Sequence, residues 1–363
     1  MNSTDIVQLT IDPSPTELTD SPLVHNTTLH KPPNQYAELK QIIKKHGLLD
    51  KQPFYYFFQF ILILGMLVAS MTCLLLVHNF WIQIANAVFL AVIFTQLGFL
   101  GHEAGHRQIF HSTQKNDWIA LIAGNLLIGM SISWWMDKHN RHHSHPNQID
   151  LDPDIEIAVI ALTEEEARNK RSYQRFIVKY QAFFFFPLLS LLGLGLQYDS
   201  IRFLLRNNAK NRFVELTLMM LHYVIYIGLL LYRFNIWQAL VVVLIHQLLF
   251  GLFLGTAFAP NHKGMPILDN DSQLSFLHRQ VLTSRNVRSS IFNDFWYGGL
   301  NYQIEHHLFP SMPRNNLKET QRIVKAYCQS HSINYSETGV IQSYREILGF
   351  LHQISLTLHS SHS

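Results

Sequence analysis

WIQIANAVFLAVIFTQLGFLGHEAGH, residues 81–106, is the stretch on which the fold turns. Trp81 to Gly101 holds no charged residue. At about 1.5 Å rise per residue it is long enough to cross a hydrocarbon core of about 30 Å. It ends directly on His102, and His106 follows one helical turn later. An apolar span therefore delivers two imidazoles, aimed the same way, to one edge of a bilayer. A second uncharged run, Tyr55 to Val77, precedes it, with only His78 to Phe80 between them. The two runs form an antiparallel hairpin that returns the chain to its starting side.

The same arrangement recurs. Glu215 to Tyr232 and Ile236 to Ala259 are a second pair of long apolar runs, parted by Arg233 to Asn235. With only 15% charged residues against 48% hydrophobic, where a soluble domain carries about 25% charged, the composition points to a membrane protein. The expected fold is all-α: four transmembrane helices (about 55–77, 81–101, 215–232 and 236–259) as two hairpins, with interfacial helices and a polar cap. The two hairpin turns hold one basic residue, Arg233, and nearly all the others lie in the arm, in 137–214 and in the C-terminal region. By the positive-inside rule the cap faces the cytoplasm. A net charge of +3 is too mild to suggest a nucleic acid partner. Cys73 and Cys328 lie too far apart for a disulfide framework and lack thiolate-site spacing.

The division expected along the chain has three parts. Residues 1–35, rich in Thr, Ser and Pro, read as a disordered arm. Residues 36–330 form the main domain. Residues 331–363 are a tail with an amphipathic helix over 340–353.

Two more stretches share the helical geometry of the first. His139, His142 and His143 lie in His-Asn-Arg-His-His, and Gln303, His306 and His307 in Gln-Ile-Glu-His-His. Positions i, i+3 and i+4 share one face of a helix. Singly, each cluster reads equally well as interfacial or surface histidine. Together, seven histidines on three short faces point to a metal centre with more than one ion. If all three line one site, Trp118–Trp135 and Ala182–Leu196, which are short and broken by Gly or Pro, must leave and return on one side, as interfacial or re-entrant segments. Neutral imidazole is a common ligand, and its second nitrogen needs an orienting partner. Glu103, Glu305, Asp150, Asp152 and Asp154 are the candidates for that role. Imidazole suits iron, copper, zinc and nickel alike, so ligand type leaves the metal open.

The three stretches resemble the histidine boxes of the membrane fatty acid desaturases. Gly298-Gly-Leu-Asn-Tyr-Gln-Ile-Glu-His-His-Leu-Phe-Pro310 resembles the acyl-lipid and front-end branch, in which Gln replaces the first His of the third box. Phe258-Ala-Pro-Asn-His-Lys-Gly-Met-Pro266 and Arg279-Gln-Val-Leu-Thr-Ser-Arg285 are similar to segments of bacterial acyl-CoA and acyl-lipid desaturases. The resemblance implies two iron ions (Fe2+), O2 as co-substrate and a cis double bond placed in a long acyl chain, carried on lipid or CoA. It implies His102, His106, His139, His142, His143, His306 and His307 as iron ligands, with His262 as an isolated extra one. Gln303 would bind weakly, through water, or only shape the site. His111, His145, His278, His359 and His362 match no ligand of the family. The His-Pro-Gly-Gly haem motif of fused cytochrome b5 domains does not occur, since His145-Pro146 is followed by Asn147. The expected electron source is thus an external ferredoxin or cytochrome b5-type donor. Two other readings remain open. A lipid or alkane hydroxylase would share the boxes, and a membrane metal carrier would need ionisable residues along its spans, where only His222 and His246 stand out.

Overall fold

The computed structural model of the protein describes residues 34–206 and 209–358. The arm expected over residues 1–35 lies outside them apart from its last two residues, as do His359 and His362.

Helix α1 (Gln35–Lys45) leads into α2 (Pro53–Leu76), which turns at residues 77–79 into α3 (Phe80–Gly105). The turn is closed from both sides. The Asn79 side chain accepts from the backbone N–H groups of Trp81 and Ile82. Gln83 Nε2 donates to the Cys73 and Val77 carbonyls that α2 leaves over at its end. The second hairpin is α10 (Arg212–Arg233) and α11 (Ile236–His262), numbered after the intervening helices below. Asn235 caps α11 by accepting from Gln238 N. All four helices are long and apolar enough to cross a bilayer. Helices α3 and α11 run past the apolar stretches that announce them. His102 is therefore still helical, and His262, expected just beyond the fourth span, is the last residue of α11.

Helices α3 and α11 pack face to face, burying Ala91, Phe94 and Leu97 against Phe250, Leu254 and Ala257. Helices α2 and α10 flank them and leave Phe58, Val68, Val224 and Tyr232 exposed, the apolar face that a lipid-covered helix requires. His222 and His246, the histidines within the second hairpin, pack around Phe94 with ring centroids 6.1 and 4.4 Å away. His246 Nδ1 lies 2.7 Å from the Tyr226 hydroxyl.

The two shorter apolar runs are bent pairs. Helix α4 (Thr113–Leu121) continues through a π-helical turn (Ile122–Leu127) and then bends by 114° into α5 (Ile132–Ser144). Gly129 makes the bend at φ +69°, and a Cβ there would stand 2.6 Å from the His222 ring. The Ser131 hydroxyl caps α5 by accepting from Trp134 N. Glu215, fully buried in the first turn of α10, accepts from Asn125 Nδ2 (3.0 Å), Ser131 Oγ (2.6 Å), Ser133 N (3.3 Å) and the Ser133 hydroxyl. The chain then forms α6 (Glu164–Asn169), α7 (Ser172–Lys179), α8 (Gln181–Ser190) and α9 (Leu192–Arg206), the last two bent by 64°.

Where α8 and α9 cross α11, a Cβ on Gly251 would stand 2.3 Å from the Ser190 carbonyl oxygen and 2.9 Å from Gly193 N. Backbone cannot yield there as a flexible side chain would. Gly251→Ala should destabilise the protein by about 1–3 kcal/mol, the usual cost of forced overpacking. A thermal midpoint equal to the wild type's would refute the contact.

The cap comprises α12 (Phe276–Leu282), strand β1 (Asn286–Val287), α13 (Ile291–Trp296), α14 (Gln303–Leu308), α15 (Leu317–Ser330), strand β2 (Glu337–Thr338) and α16 (Val340–Leu356). Strand β2 pairs in parallel with β1, and Asn286 stands opposite Glu337. The buried Arg285 guanidinium donates to the carbonyls of Pro260 and Lys263 and to Glu346 on α16. The segment after residue 330 thus supplies a strand and a helix to the cap.

Candidate metal centre

Four elements converge where α3 and α11 enter the cap. His102 lies in the last turn of α3 and His106 caps its end, and α5 brings His139, His142 and His143. His262 ends α11, and α14 brings His306 and His307. All three helical faces expected from the i, i+3, i+4 spacing meet, yet the boxes do not map one-to-one onto sites. The ligand atoms of His102, His106, His139, His143 and His306 lie within 4.8 Å of one another, and those of His142, His262 and His307 form a second such group. Successive helical residues point about 100° apart, so His142 diverges from His143 and His306 from His307. The groups adjoin, because the rings of His143 and His307 stack at 4.2 Å and 13°.

The second group is oriented throughout. His142 Nδ1 lies 2.9 Å from Asp152. That fully buried carboxylate also accepts from Asn147 N and Asp154 N. His262 Nδ1 donates to the Thr283 carbonyl at 3.0 Å. His307 Nδ1 donates to Gln280 Oε1 at 2.8 Å, while Gln280 Nε2 donates to the His143 carbonyl. A neutral imidazole that donates from Nδ1 keeps a lone pair on Nε2. The Nε2 atoms of His142 and His307 nevertheless stand 3.3 and 3.1 Å from that of His262. Lone pairs facing one another at that distance repel, and a cation among them satisfies all three.

The first group fits a cation for the complementary reason. His139 Nε2 lies 2.9 Å from both His106 Nε2 and His143 Nε2. His102 Nε2 and His306 Nε2 are buried without any hydrogen-bond partner, which would ordinarily cost about 1–3 kcal/mol for each group. Burial, reinforced by neighbouring imidazoles, holds His306 and His307 well below the usual histidine range. They are therefore neutral, the ligand form.

The remaining candidates divide. Asp152 orients His142, and Asp154 lies 3.5 Å from the same ring while pairing with Lys138. Gln303 stands at the second group. Its Nε2 is 2.9 Å from His262 Nε2, and its Oε1 accepts from Asn261. Among the described residues Glu103 and Glu305 form no hydrogen bond to an imidazole, although they lie inside boxes. Glu103 pairs with Arg314 at 3.4 Å. Glu305 accepts from Asn286 and Tyr335, and burial pushes its carboxyl up to about 7. Asp150 accepts from exposed Asn270. His145 bonds Gln148 and Arg279, and His278 bonds Ser275.

The orienting roles of Gln280, Thr283 and Asn147 escape a reading based on boxes, as does the stacking of Trp135 on His139 at 4.3 Å. Gln280 and Thr283 lie within Arg279–Arg285, the segment whose resemblance was the one available signal. Asp152→Asn should weaken metal binding at the second group by about 10- to 100-fold, the range for loss of a ligand's orienting partner. Competition with a chelator would reveal it, and unchanged retention would remove Asp152 from that role.

Comparison with known proteins agrees with this geometry. The family model described as fatty acid desaturase matches residues 79–339. The chain is 29% identical to the acyl-lipid (9-3)-desaturase of Physcomitrium patens over 90% of this chain and 64% of that protein. It is 32% identical to a Delta(6)-fatty-acid desaturase of Caenorhabditis elegans over 85% of this chain and 72% of that one. With a Delta(5) fatty acid desaturase of the same organism the identity is 28%, over 83% and 69%. The chain thus spans about two thirds of the length of these relatives. A family match over most of its length, joined to two imidazole groups at the end of apolar helices, shows that the chain belongs to the fatty acid desaturase family.

Proposed function

We propose that the protein is an O2-dependent fatty acid desaturase that introduces a cis double bond into a long acyl chain at a non-haem di-iron centre. The carrying observation is the pair of adjoining imidazole groups, one with its Nε2 lone pairs fixed toward a common point by Asp152, Thr283 and Gln280. His102, His106, His139, His143 and His306 would hold one iron, and His142, His262 and His307 the other. Gln303 shapes the second site through its contact with His262. When bound, the irons and O2 supply hydrogen abstraction from unactivated methylenes, which no side chain can perform.

The chain's own residues do the rest. Asp152, Gln280 and the Thr283 carbonyl keep the Nδ1 protons in place, so each Nε2 stays a ligand. The cap buries His142, His262, His306 and His307 away from bulk water. The apolar residues of α3 and α11 below the boxes offer surface to a hydrocarbon chain. The two hydrogens taken from the acyl chain and two electrons from outside, with two protons, reduce O2 to water. The electrons would come from a ferredoxin or cytochrome b5-type donor. The distribution of basic residues supports boxes that face the cytoplasm.

Gas chromatography with mass spectrometry of fatty acids from a host expressing the chain tests this reading. Dimethyl disulfide adducts would fix the bond position. A new monounsaturated or polyunsaturated acid is expected. A hydroxy acid instead would favour a hydroxylase, and a purified protein holding exchangeable zinc but no iron would favour a carrier.

A further inference from the structure

Beside the metal centre lies a second feature, which none of the relatives' names mentions. A cleft of about 280 Å³ opens between the start of α2 and the cap. We propose that this cleft, bounded by Tyr55, Gln59, Asp294, Phe295, Arg314 and Lys318, seats the zwitterionic headgroup of a glycerophospholipid whose acyl chain is the substrate. The inference rests on the desaturase reading and names the carrier it takes.

Three observations converge on it. The first is depth. Tyr55 and Gln59 stand in the first two turns of α2, among Phe54, Phe57 and Phe58, which are 80%, 57% and 67% exposed. Charged Lys51 gives way within one turn to these apolar side chains, so the first turns of the span lie at the boundary between headgroups and hydrocarbon. The cleft therefore opens where headgroups reside.

The second is proximity. The Arg314 guanidinium reaches Glu103, which follows His102 directly, and also donates to the Asp294 carbonyl at 2.8 Å. Gly299, at φ +80°, makes room for it, since a Cβ there would stand 2.7 Å from Arg314 Cγ. The cleft wall is thus tied through Glu103 to the helical turn that carries His102. The relatives' names place their double bonds at positions 5 and 6, counted from the carboxyl end. Only a short methylene run would then lie between a substrate's ester and its reacting carbons.

The third is charge. Arg314 is matched by Glu103. Lys318 is exposed and, among the described residues, enters no ion pair. Asp294, half-buried, accepts from Asn301, Tyr302 and Ser289 and so keeps its carboxylate fixed at the opposite wall. A cleft with separate positive and negative poles suits a phosphodiester on Lys318 and Arg314. It suits an ammonium between Asp294 and the rings of Tyr55 and Phe295, as quaternary ammonium groups favour aromatic faces. Coenzyme A carries several phosphates and no such cation, and Asp294 would oppose it.

The test uses the purified full-length protein in detergent micelles. The probe is phosphatidylcholine with a fluorescent polyene tail, read by energy transfer from tryptophan. Unlabelled phosphatidylcholine, phosphatidylglycerol and oleoyl-CoA compete. Phosphatidylcholine should displace the probe best. Lys318→Glu should weaken probe binding by about tenfold, or 1.4 kcal/mol. Asp294→Asn should erase the preference for choline over glycerol headgroups. Iron content and thermal midpoint of each variant serve as folding controls. Oleoyl-CoA competing as well as phosphatidylcholine, or a headgroup ranking untouched in correctly folded variants, would overturn the proposal. If the ranking holds while the wild type makes no unsaturated acid in any host, the desaturase reading fails and the lipid site stands.

Discussion

His306→Ala should yield a folded protein that holds fewer than two irons and turns over no substrate. His306 is 1% exposed, and its Nε2 finds no hydrogen-bond partner. Its ring lies 4.7, 4.9 and 4.8 Å, centroid to centroid, from those of His102, His106 and His143. Among the described residues no carboxylate or thiolate belongs to this five-imidazole group, so none of them replaces the lost nitrogen. Loss of an orienting partner alone costs about 10- to 100-fold in affinity or activity, and loss of the ligand itself should exceed that. Iron measured per chain, alongside product formation, decides the matter. His145→Ala is the contrast, since its ring serves Gln148 and Arg279 and both irons should remain. Full activity in His306→Ala would end the ligand assignment.

The second large effect is predicted far from any ligand. Glu215→Ala should sharply lower the amount of folded protein recovered from membranes. The side chain gathers Asn125 from the π-helical turn and Ser131 and Ser133 from the start of α5, all onto the first turn of α10. Its loss leaves several donors buried with no acceptor, at about 1–3 kcal/mol for each. Together they exceed about 3 kcal/mol, a large share of a typical net stability. Because α5 carries His139, His142 and His143, the surviving fraction should also bind metal poorly. Glu215→Gln keeps one acceptor oxygen and should fall between. An Ala variant with the wild-type thermal midpoint in detergent would show that α5 is held by something else.

The sequence announces the hairpins because burial in lipid demands long uncharged runs, and nothing else in a chain looks like them. It announces the three faces because helical spacing is local. What it hides is the partition of the eight histidines. Whether His142 joins His143 or His262 depends on the angle at which α5 leaves its bend at Gly129, and on where α11 stops. Hydrophobicity ends near Ala259, so the sequence alone places His262 just beyond the fourth span. The helix persists through Pro260, whose carbonyl is taken by Arg285. Glu103 and Glu305 were plausible partners only because they sit inside boxes. Their side chains leave the helix in other directions, toward Arg314 and Tyr335. The true partners of His262 and His307 come from α12 and the turn after it, more than twenty residues away along the chain. Such pairings exist only in three dimensions.

Two pairs of consecutive residues, His142–His143 and His306–His307, each divide between the two imidazole groups. Neighbouring Cα atoms are held about 3.8 Å apart by a trans peptide, so the backbone anchors of the two groups keep a covalent spacing, duplicated on two helices. It cannot stretch with bilayer thickness or adjust to the length of a bound chain. Under the proposed desaturase reading, the choice of which carbon reacts then falls to the walls that guide the chain.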